Sequence, residues 1–403
     1  MIVVGGTYSE ICVEPIWENI FGSGFRAVDL ILQYDSDVNI EFHTCADNID
    51  TKPHLNYYSI LNPRLKNHIT EISKSPEFHY DHPLKTPVIL PRPDVLVQKL
   101  EKLDVIGDNV LAYGMMEASI KITGDKVVYD PQSPVNPLTF KSTGSTAKQL
   151  ITIVNFDEAV KMSGFTNIQE IRNFFFLEEQ CFVLIIKMGA KGALIFQTPH
   201  DNGTKIPVYQ TNKVWSIGSG DVFSAFFALN WFKGNSIVDS TILASKATAI
   251  YCNSKDLAIA ESLASFNFPE LIIDSTPKTQ VYLAGPFFTF SERWLVNQVW
   301  SALKGVGLKV FSPFHDVGHG KAADVVEKDL KGLDDSTIVF AIIDGLDAGT
   351  LFEVGYAISQ QKQVVAFVQN ESEESLKMLE GTNCIIEKDF TTAIYKLYWA
   401  LGK

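Results

Sequence analysis

Cysteine is scarce in this chain: five among 403 residues, at positions 12, 45, 181, 252 and 384. None forms a CxxC pair, so neither a disulfide framework nor a thiolate metal centre is expected, and the count suits a reducing cytoplasm. Positive charge is also short. With 34 Lys and Arg against 47 Asp and Glu, the net charge is −13, which argues against nucleic acid or an anionic membrane as the main partner. Small anions stay possible, because glycine-rich turns bind phosphate through backbone N–H groups whatever the global charge. No window is apolar for long enough to span a bilayer, and no basic stretch followed by an apolar core marks the amino terminus for export. His43, His54, His68, His79 and His82 lack HxxxH or HxH spacing, so they read as surface or structural residues. There is no low-complexity segment and no internal repeat.

What is present is ample apolar residue, 46%, in segments with strand and helix periods. A single core seldom grows past roughly 250 to 300 residues, so two domains are expected. The polar, proline-bearing stretch DSTPK at 274–278 predicts a linker between 1–273 and 279–403. Before it, MIVVGG opens on a strand and a glycine turn, FGSGFRAVDLIL feeds a glycine-rich turn into a helix, and 39–93 reads as a lid with connecting strands. From residue 110, strand and helix signals alternate, which predicts parallel strands joined by crossover helices.

Three segments in the first part carry chemistry. VWSIGSGDVFSAFFA sets Gly218, Ser219, Gly220 and Asp221 directly before an apolar helix, where N–H groups and the helix dipole suit a phosphate and Asp221 can take a proton from a hydroxyl. Asn155 and Glu158 follow a strand end, and KMGAKGA places Lys187, Gly189 and Gly192 in a strand-turn-strand. In this order they resemble the ribokinase-like (PfkB) sugar and nucleoside kinases. That resemblance implies Asp221 as base, Gly218, Ser219 and Gly220 as anion hole, Asn155 and Glu158 as organisers of Mg²⁺ and phosphate, and Lys187, Gly189 and Gly192 beside ATP. It implies sugar contacts from Glu10, Gly24 and Arg26, with two departures: Glu10 stands where Asp is common and Arg26 where Asn often contacts the sugar. Trp215-Ser216-Ile217 replaces the usual acid before the anion hole, so no monovalent-cation site is expected.

The second part is organised around VFAIIDGLDAGTLFEVGYA, residues 339–357. A buried strand turns on Asp344-Gly345 into a helix carrying Glu353, so acids and glycines gather at a strand's carboxyl end, where α/β sheets bind ligands. Breaking an N-glycosidic bond passes through an oxocarbenium-like state, for which a carboxylate beneath the sugar and an acid beside the base are the minimum equipment. With YLAGPFF, SPF and the Lys328-Asp329-Leu330 segment, the stretch resembles the nucleoside 2-deoxyribosyltransferases. The resemblance implies Glu353 as nucleophile, Asp329 and Asp347 as acids at base or sugar, and a pocket lined by Tyr282, Gly285, Phe287, Phe288, Asp344 and Gly349. It further implies that Asn383 completes the site of a neighbouring subunit in a homo-oligomer. Ala348 departs from the usual Ser.

The two resemblances together imply a ribokinase-like three-layer αβα domain followed by a smaller Rossmann-like (flavodoxin-like) αβα domain with a parallel sheet. The leading expectation is a bifunctional nucleoside-salvage enzyme acting on nucleosides, sugars and ATP with Mg²⁺. The alternatives are a glycosidase or transferase with a regulatory pseudokinase half, and a non-catalytic nucleotide sensor. ATP consumption separates the first from the others, and base release separates the second from the third.

Overall fold

The computed structural model describes residues 1–96, 100–133, 136–271, 279–318 and 320–401. Contacts divide the chain into two compact units, Met1–Thr211 with Trp215–Ile272, and Asn212–Val214 with Ile273–Lys403. The expected linker at 274–278 lies outside the described residues.

The first unit is built on a nine-stranded sheet in the order Thr204–Ile206, Ala193–Phe196, Val183–Lys187, Thr146–Asn155, Ala118–Asp130, Glu101–Tyr113, Ile2–Val4, Ile40–Ala46, Leu65–Glu71. All neighbours are parallel except at the Ala193–Phe196 and Thr204–Ile206 edge. Successive residues feed opposite faces, as the strand pleat requires: Val3, Leu111, Ile151 and Ile185 join one core, Val4, Val110, Val154 and Leu184 the other. The first core receives the helices Gly22–Tyr34, Ser219–Phe232 and Ile237–Ser254, the second Phe156–Ser163 and Ile168–Leu177. This is the expected three-layer architecture.

Two features differ from expectation. Glu101–Tyr113 and Ala118–Asp130 pair in parallel register along their whole length, yet only residues 114–117 join them. Straight strands of that length would span about 40 Å, whereas four residues reach ~14 Å. The strands must therefore bend back, and Gly107 paired with Gly124 marks the place where no side chain obstructs a bend. No crossover helix is needed there. The lid, expected within 39–93, is a four-stranded sheet drawn from both sides of the pair Ile40–Ala46 and Leu65–Glu71: Trp17–Ile20, Ser9–Cys12, Glu77–Tyr80, Val88–Leu90. Ile40–Ala46 and Leu65–Glu71 belong to the main sheet instead.

The second unit has five parallel strands in the order Lys309–Phe311, Gln280–Ala284, Ile338–Ile342, Gln363–Phe367, Ile385–Glu387. Numbered along this unit the order is 2-1-3-4-5, so the winding reverses between Gln280–Ala284 and Ile338–Ile342, the topological switch point. Ile338–Ile342 is buried throughout, as a strand covered on both faces must be. Phe290–Gly305 packs with Phe390–Ala400, and Ala322–Asp334 with Ala348–Ser359. The short, polar helix Glu373–Glu380 and the strand Ile385–Glu387 had no clear signal in the sequence.

Candidate active sites

At the switch point of the second unit, Asp347 caps the helix Ala348–Ser359: its Oδ2 accepts the Thr350 N–H at 2.8 Å and the Thr350 hydroxyl at 2.9 Å. That fixes the start of the helix and hence the position of Glu353 on it. The Tyr282 hydroxyl, on Gln280–Ala284, donates to Glu353 Oε1 at 2.6 Å. Tyr282 is fully buried and its ring stacks on Phe311 at 5.6 Å, so the donor is held in place. Burial pushes Glu353 up to about 7; the Tyr282 hydrogen bond pulls the other way, and the charges of Asp329 and Asp347 add to the rise. Burial also raises Asp329, whose Oδ1 is enclosed and has no hydrogen-bond partner. Three carboxylates are thus electrostatically linked, and one is held by a phenol.

The other expected residues divide by role. A Cβ on Gly285 would lie 3.1 Å from the Ile342 side chain, so this glycine lets the two strand ends approach. Phe287 stacks on Phe288 at 5.2 Å and tilts against Phe314 at 5.6 Å, while Phe288 is 67% exposed. Gly349 leaves room for the Asp347 cap, with a Cβ contact of 3.1 Å to Oδ2. Asp344 has both oxygens on the backbone, accepting the N–H groups of Gln369 and Asn370 at 2.8–3.0 Å, so it ties two loops together. Asn383 is exposed and leans on Gln363, the first residue of its strand. It therefore lies at the amino ends of the strands, and the chain does not bring it to Glu353.

In the first unit, Gly218 caps the helix Ser219–Phe232 with φ +76, a left-handed conformation that favours glycine. Asp221 follows in the first turn, buried, and its carbonyl accepts the Tyr113 hydroxyl at 2.8 Å. One oxygen of its carboxylate is already engaged. Arg26 Nη1 donates to Asp221 Oδ2 at 2.5 Å, and Arg26 Nη2 donates to Glu10 Oε2. The Gly22 N–H donates to the other oxygen of Glu10 at 3.3 Å. Burial pushes Asp221 up to about 6, against the pull of Arg26 and with the push of Glu10 and Asp130. The structure thus joins Glu10, Arg26 and Asp221 in one buried cluster. Gly24 lets two chain segments approach: a Cβ there would meet the Gly5 carbonyl carbon at 2.6 Å, and its N–H bonds to Gly6 O.

Asn155 and Glu158 form a reciprocal capping box at the start of Phe156–Ser163, each side chain accepting the other's backbone N–H. Burial, with Asp130, pushes Glu158 up to about 7, and Lys187 opposes it. Lys187 stands against the glycines expected to form the anion hole: a Cβ on Gly220 would lie 3.2 Å from its Nζ. Burial works against its charge, but Asp130 and Glu158 hold it protonated above the usual range. Gly189 and Gly192 take φ +56 and +85, and a Cβ on Gly192 would collide with Ile206 O at 2.1 Å.

Sequence reasoning missed Asp130. It is fully buried at a strand's carboxyl end, and its Oδ2 receives both Lys187 Nζ and Ser224 Oγ at 2.6 Å. Its place at the end of KVVYD, where parallel strands present ligand groups, was the available signal. Glu117 was missed too. It is buried beside Gly6, with Oε1 unpartnered, and burial pushes it up to about 7.

Comparison with known proteins agrees with this division. Residues 108–262 match the family model described as pfkB family carbohydrate kinase, and residues 281–388 match nucleoside 2-deoxyribosyltransferase. An uncharacterized protein of Ureaplasma parvum serovar 3 is 32% identical over 101 residues, which is 22% of this chain and 64% of that protein, less than two thirds of its length. Fructokinase from Vibrio cholerae O395, solved with fructose, ADP and a calcium ion, is 13% identical with TM-score 0.51, covering 66% of this chain and 98% of that one. Ribokinase from Thermotoga maritima is 17% identical with TM-score 0.46, covering 66% of this chain and 98% of its own. At such identity the fructokinase likeness speaks for the fold alone. One polypeptide thus carries a match to the pfkB carbohydrate kinase family over residues 108–262 and a match to the nucleoside 2-deoxyribosyltransferase family over residues 281–388.

Proposed function

We propose that the second unit cleaves the N-glycosidic bond of a (deoxy)nucleoside through a sugar bound covalently to Glu353, and that the first unit phosphorylates a sugar or nucleoside hydroxyl with ATP. The observation that carries this reading is the Tyr282–Glu353 hydrogen bond at the switch point. Tyr282 favours the ionised carboxylate, aims one oxygen, and leaves the other to attack the anomeric carbon as the bond to the base breaks. Asp329, raised by burial and with an unpartnered oxygen, suits delivery of the proton that the leaving base requires. Water on the covalent sugar gives free sugar, and a second base gives exchange.

In the first unit Asp221 is the proposed base, with the backbone of Gly218, Ser219 and Gly220 and the Lys187 ammonium facing the transferring phosphoryl group. Asp130, whose Oδ1 is buried without a partner, and Glu158 are the hard oxygen donors that fit Mg²⁺, which would neutralise nucleotide phosphate charge. The match of residues 108–262 to the pfkB family carbohydrate kinase model supports nucleotide use.

A second reading, a nucleotide-binding first unit that transfers no phosphoryl group, is favoured by the Arg26–Asp221 pair. Product analysis on ribo- and deoxyribonucleosides and free sugars, with and without ATP and Mg²⁺, tests both. The proposal predicts base release without ATP and ADP formation only with an acceptor; absence of base release would refute the role of the second unit.

A further inference from the structure

Arg26 occupies the position that decides who can reach Asp221. Its side chain is 1% exposed and bridges two carboxylates, Asp221 and Glu10. Its guanidinium carbon lies 4.9 Å over the Phe21 ring. It also lies directly against the start of Ser219–Phe232: a Cβ on Gly218 would come within 2.2 Å of Arg26 Cζ. No layer of other atoms separates guanidinium and Gly218, and of the two Asp221 oxygens Oδ2 is already taken by it.

From this arrangement we infer that Arg26 sets the acceptor class of the first unit: a sugar carrying its own phosphate or carboxylate gains Asp221 as base, and a neutral sugar or nucleoside does not. The inference rests on the reading of Asp221 as base given above. A neutral hydroxyl that approaches Asp221 Oδ2 must displace Arg26 Nη1 and leave a buried guanidinium donor unpaired, a penalty worth on the order of a hundredfold in acceptor use. An acceptor bearing an anion exchanges one oxyanion for another on the same guanidinium, whose planar donors match carboxylate and phosphate alike. The Nε of Arg26, enclosed and without a partner, is a further donor for that anion.

The charge count supports the exchange. Before binding, Arg26 faces two carboxylates. In the reaction, Asp221 takes the acceptor hydroxyl's proton as the hydroxyl oxygen bonds to the γ-phosphorus of ATP. The bond from that phosphorus to the bridging oxygen breaks, and the electron pair leaves with ADP. Asp221 is then neutral, so a substrate carboxylate in its place opposite Arg26 leaves the negative charge around the guanidinium unchanged, while a phosphate, at roughly −1.5 to −2, adds up to one charge.

The test compares matched acceptors with the full-length protein, ATP and Mg²⁺: ribose with ribose 5-phosphate, 2-deoxyribose with its 5-phosphate, fructose with fructose 6-phosphate, and glucose with gluconate. At least one anionic member is expected to exceed its neutral partner in kcat/KM by about 100-fold or more. Arg26→Gln should bring that pair within a few-fold. Arg26→Lys, which keeps the charge should the Gln variant not fold, should retain the preference in weaker form. Equal or better use of the neutral members by the wild type overturns the inference while leaving Asp221 as base. Phosphorylation of no acceptor, with ATP still raising Tm, overturns the inference and the kinase reading together.

Discussion

Tyr282 Oη reaches Glu353 Oε1 at 2.6 Å across 71 residues of sequence, from a central strand to the helix beside it. The contact opposes burial: a phenol donor stabilises the ionised carboxylate, whereas removal from water stabilises the neutral acid. The balance, about 7, leaves Glu353 poised between the two forms at neutral pH.

Tyr282→Phe removes the opposing donor. The acidic limb of the kcat/KM profile for base release, governed by ionisation of Glu353, should move up by about one pH unit, with loss of rate at pH 6.5 greater than at pH 8.5. A limb that stays where it is in the variant contradicts the proposed role of this contact.

Glu353→Gln should make the protein more stable at pH 8 than the wild type, and the advantage should fade toward pH 5. Folding raises this pKa from 4.5 to about 7. Between those values the native state holds a proton that the unfolded state has released, so the carboxyl's contribution to stability falls as pH rises through the window and stays low above it. After allowance for solvent screening the gain is ~1–2 kcal/mol, read from urea midpoints at the two pH values. A variant less stable at pH 8 would show that Glu353 is held as a structural anion.

Asp221→Asn removes a proton acceptor at nearly constant size, so phosphoryl transfer should fall by roughly 10²–10⁴-fold, measured as ADP release with the best acceptor. Circular dichroism shows whether the fold survives loss of the Arg26 partner. Full activity in a folded variant would remove Asp221 from the mechanism.

Potassium should change the phosphorylation rate by less than about twofold, whatever the acceptor, a small difference on the scale of specific electrostatic effects. Trp215, which stands where the kinase resemblance implies an acid for the ion, is buried, and the Lys255 ammonium lies 4.1 Å over its ring. A strong rise in rate on replacing sodium with potassium would mean that a cation site exists elsewhere.

Much of the second unit was legible because its strands are buried apolar runs and its helices carry caps in sequence. Asp347 stands three residues before Thr350, and Thr289 and Glu292 form a capping box at the start of Phe290–Gly305. Tyr282 was expected to line a pocket, but its bond to Glu353 depends on which strands neighbour each other, which local pattern does not encode. The same holds for Arg26. A cation in a glycine turn reads as a substrate contact, and only the fold adds that Asp221, 195 residues away, lies against it. For Asn383 strand direction adds its place, at the amino ends of the strands and away from Glu353 of its own chain, as a residue expected to serve a neighbouring subunit can be.

The most direct measurement is intact-protein mass spectrometry of the wild type after incubation with a slow 2-fluoro-2-deoxynucleoside. A gain of one fluorinated sugar is expected, mapped by proteolysis to the peptide containing Glu353 and absent in Glu353→Ala, whose base release should be lower by several orders of magnitude while nucleoside binding persists. Turnover of the wild type with no adduct would mean direct attack by water, and an adduct on another residue, or full activity in Glu353→Ala, would contradict Glu353 as nucleophile.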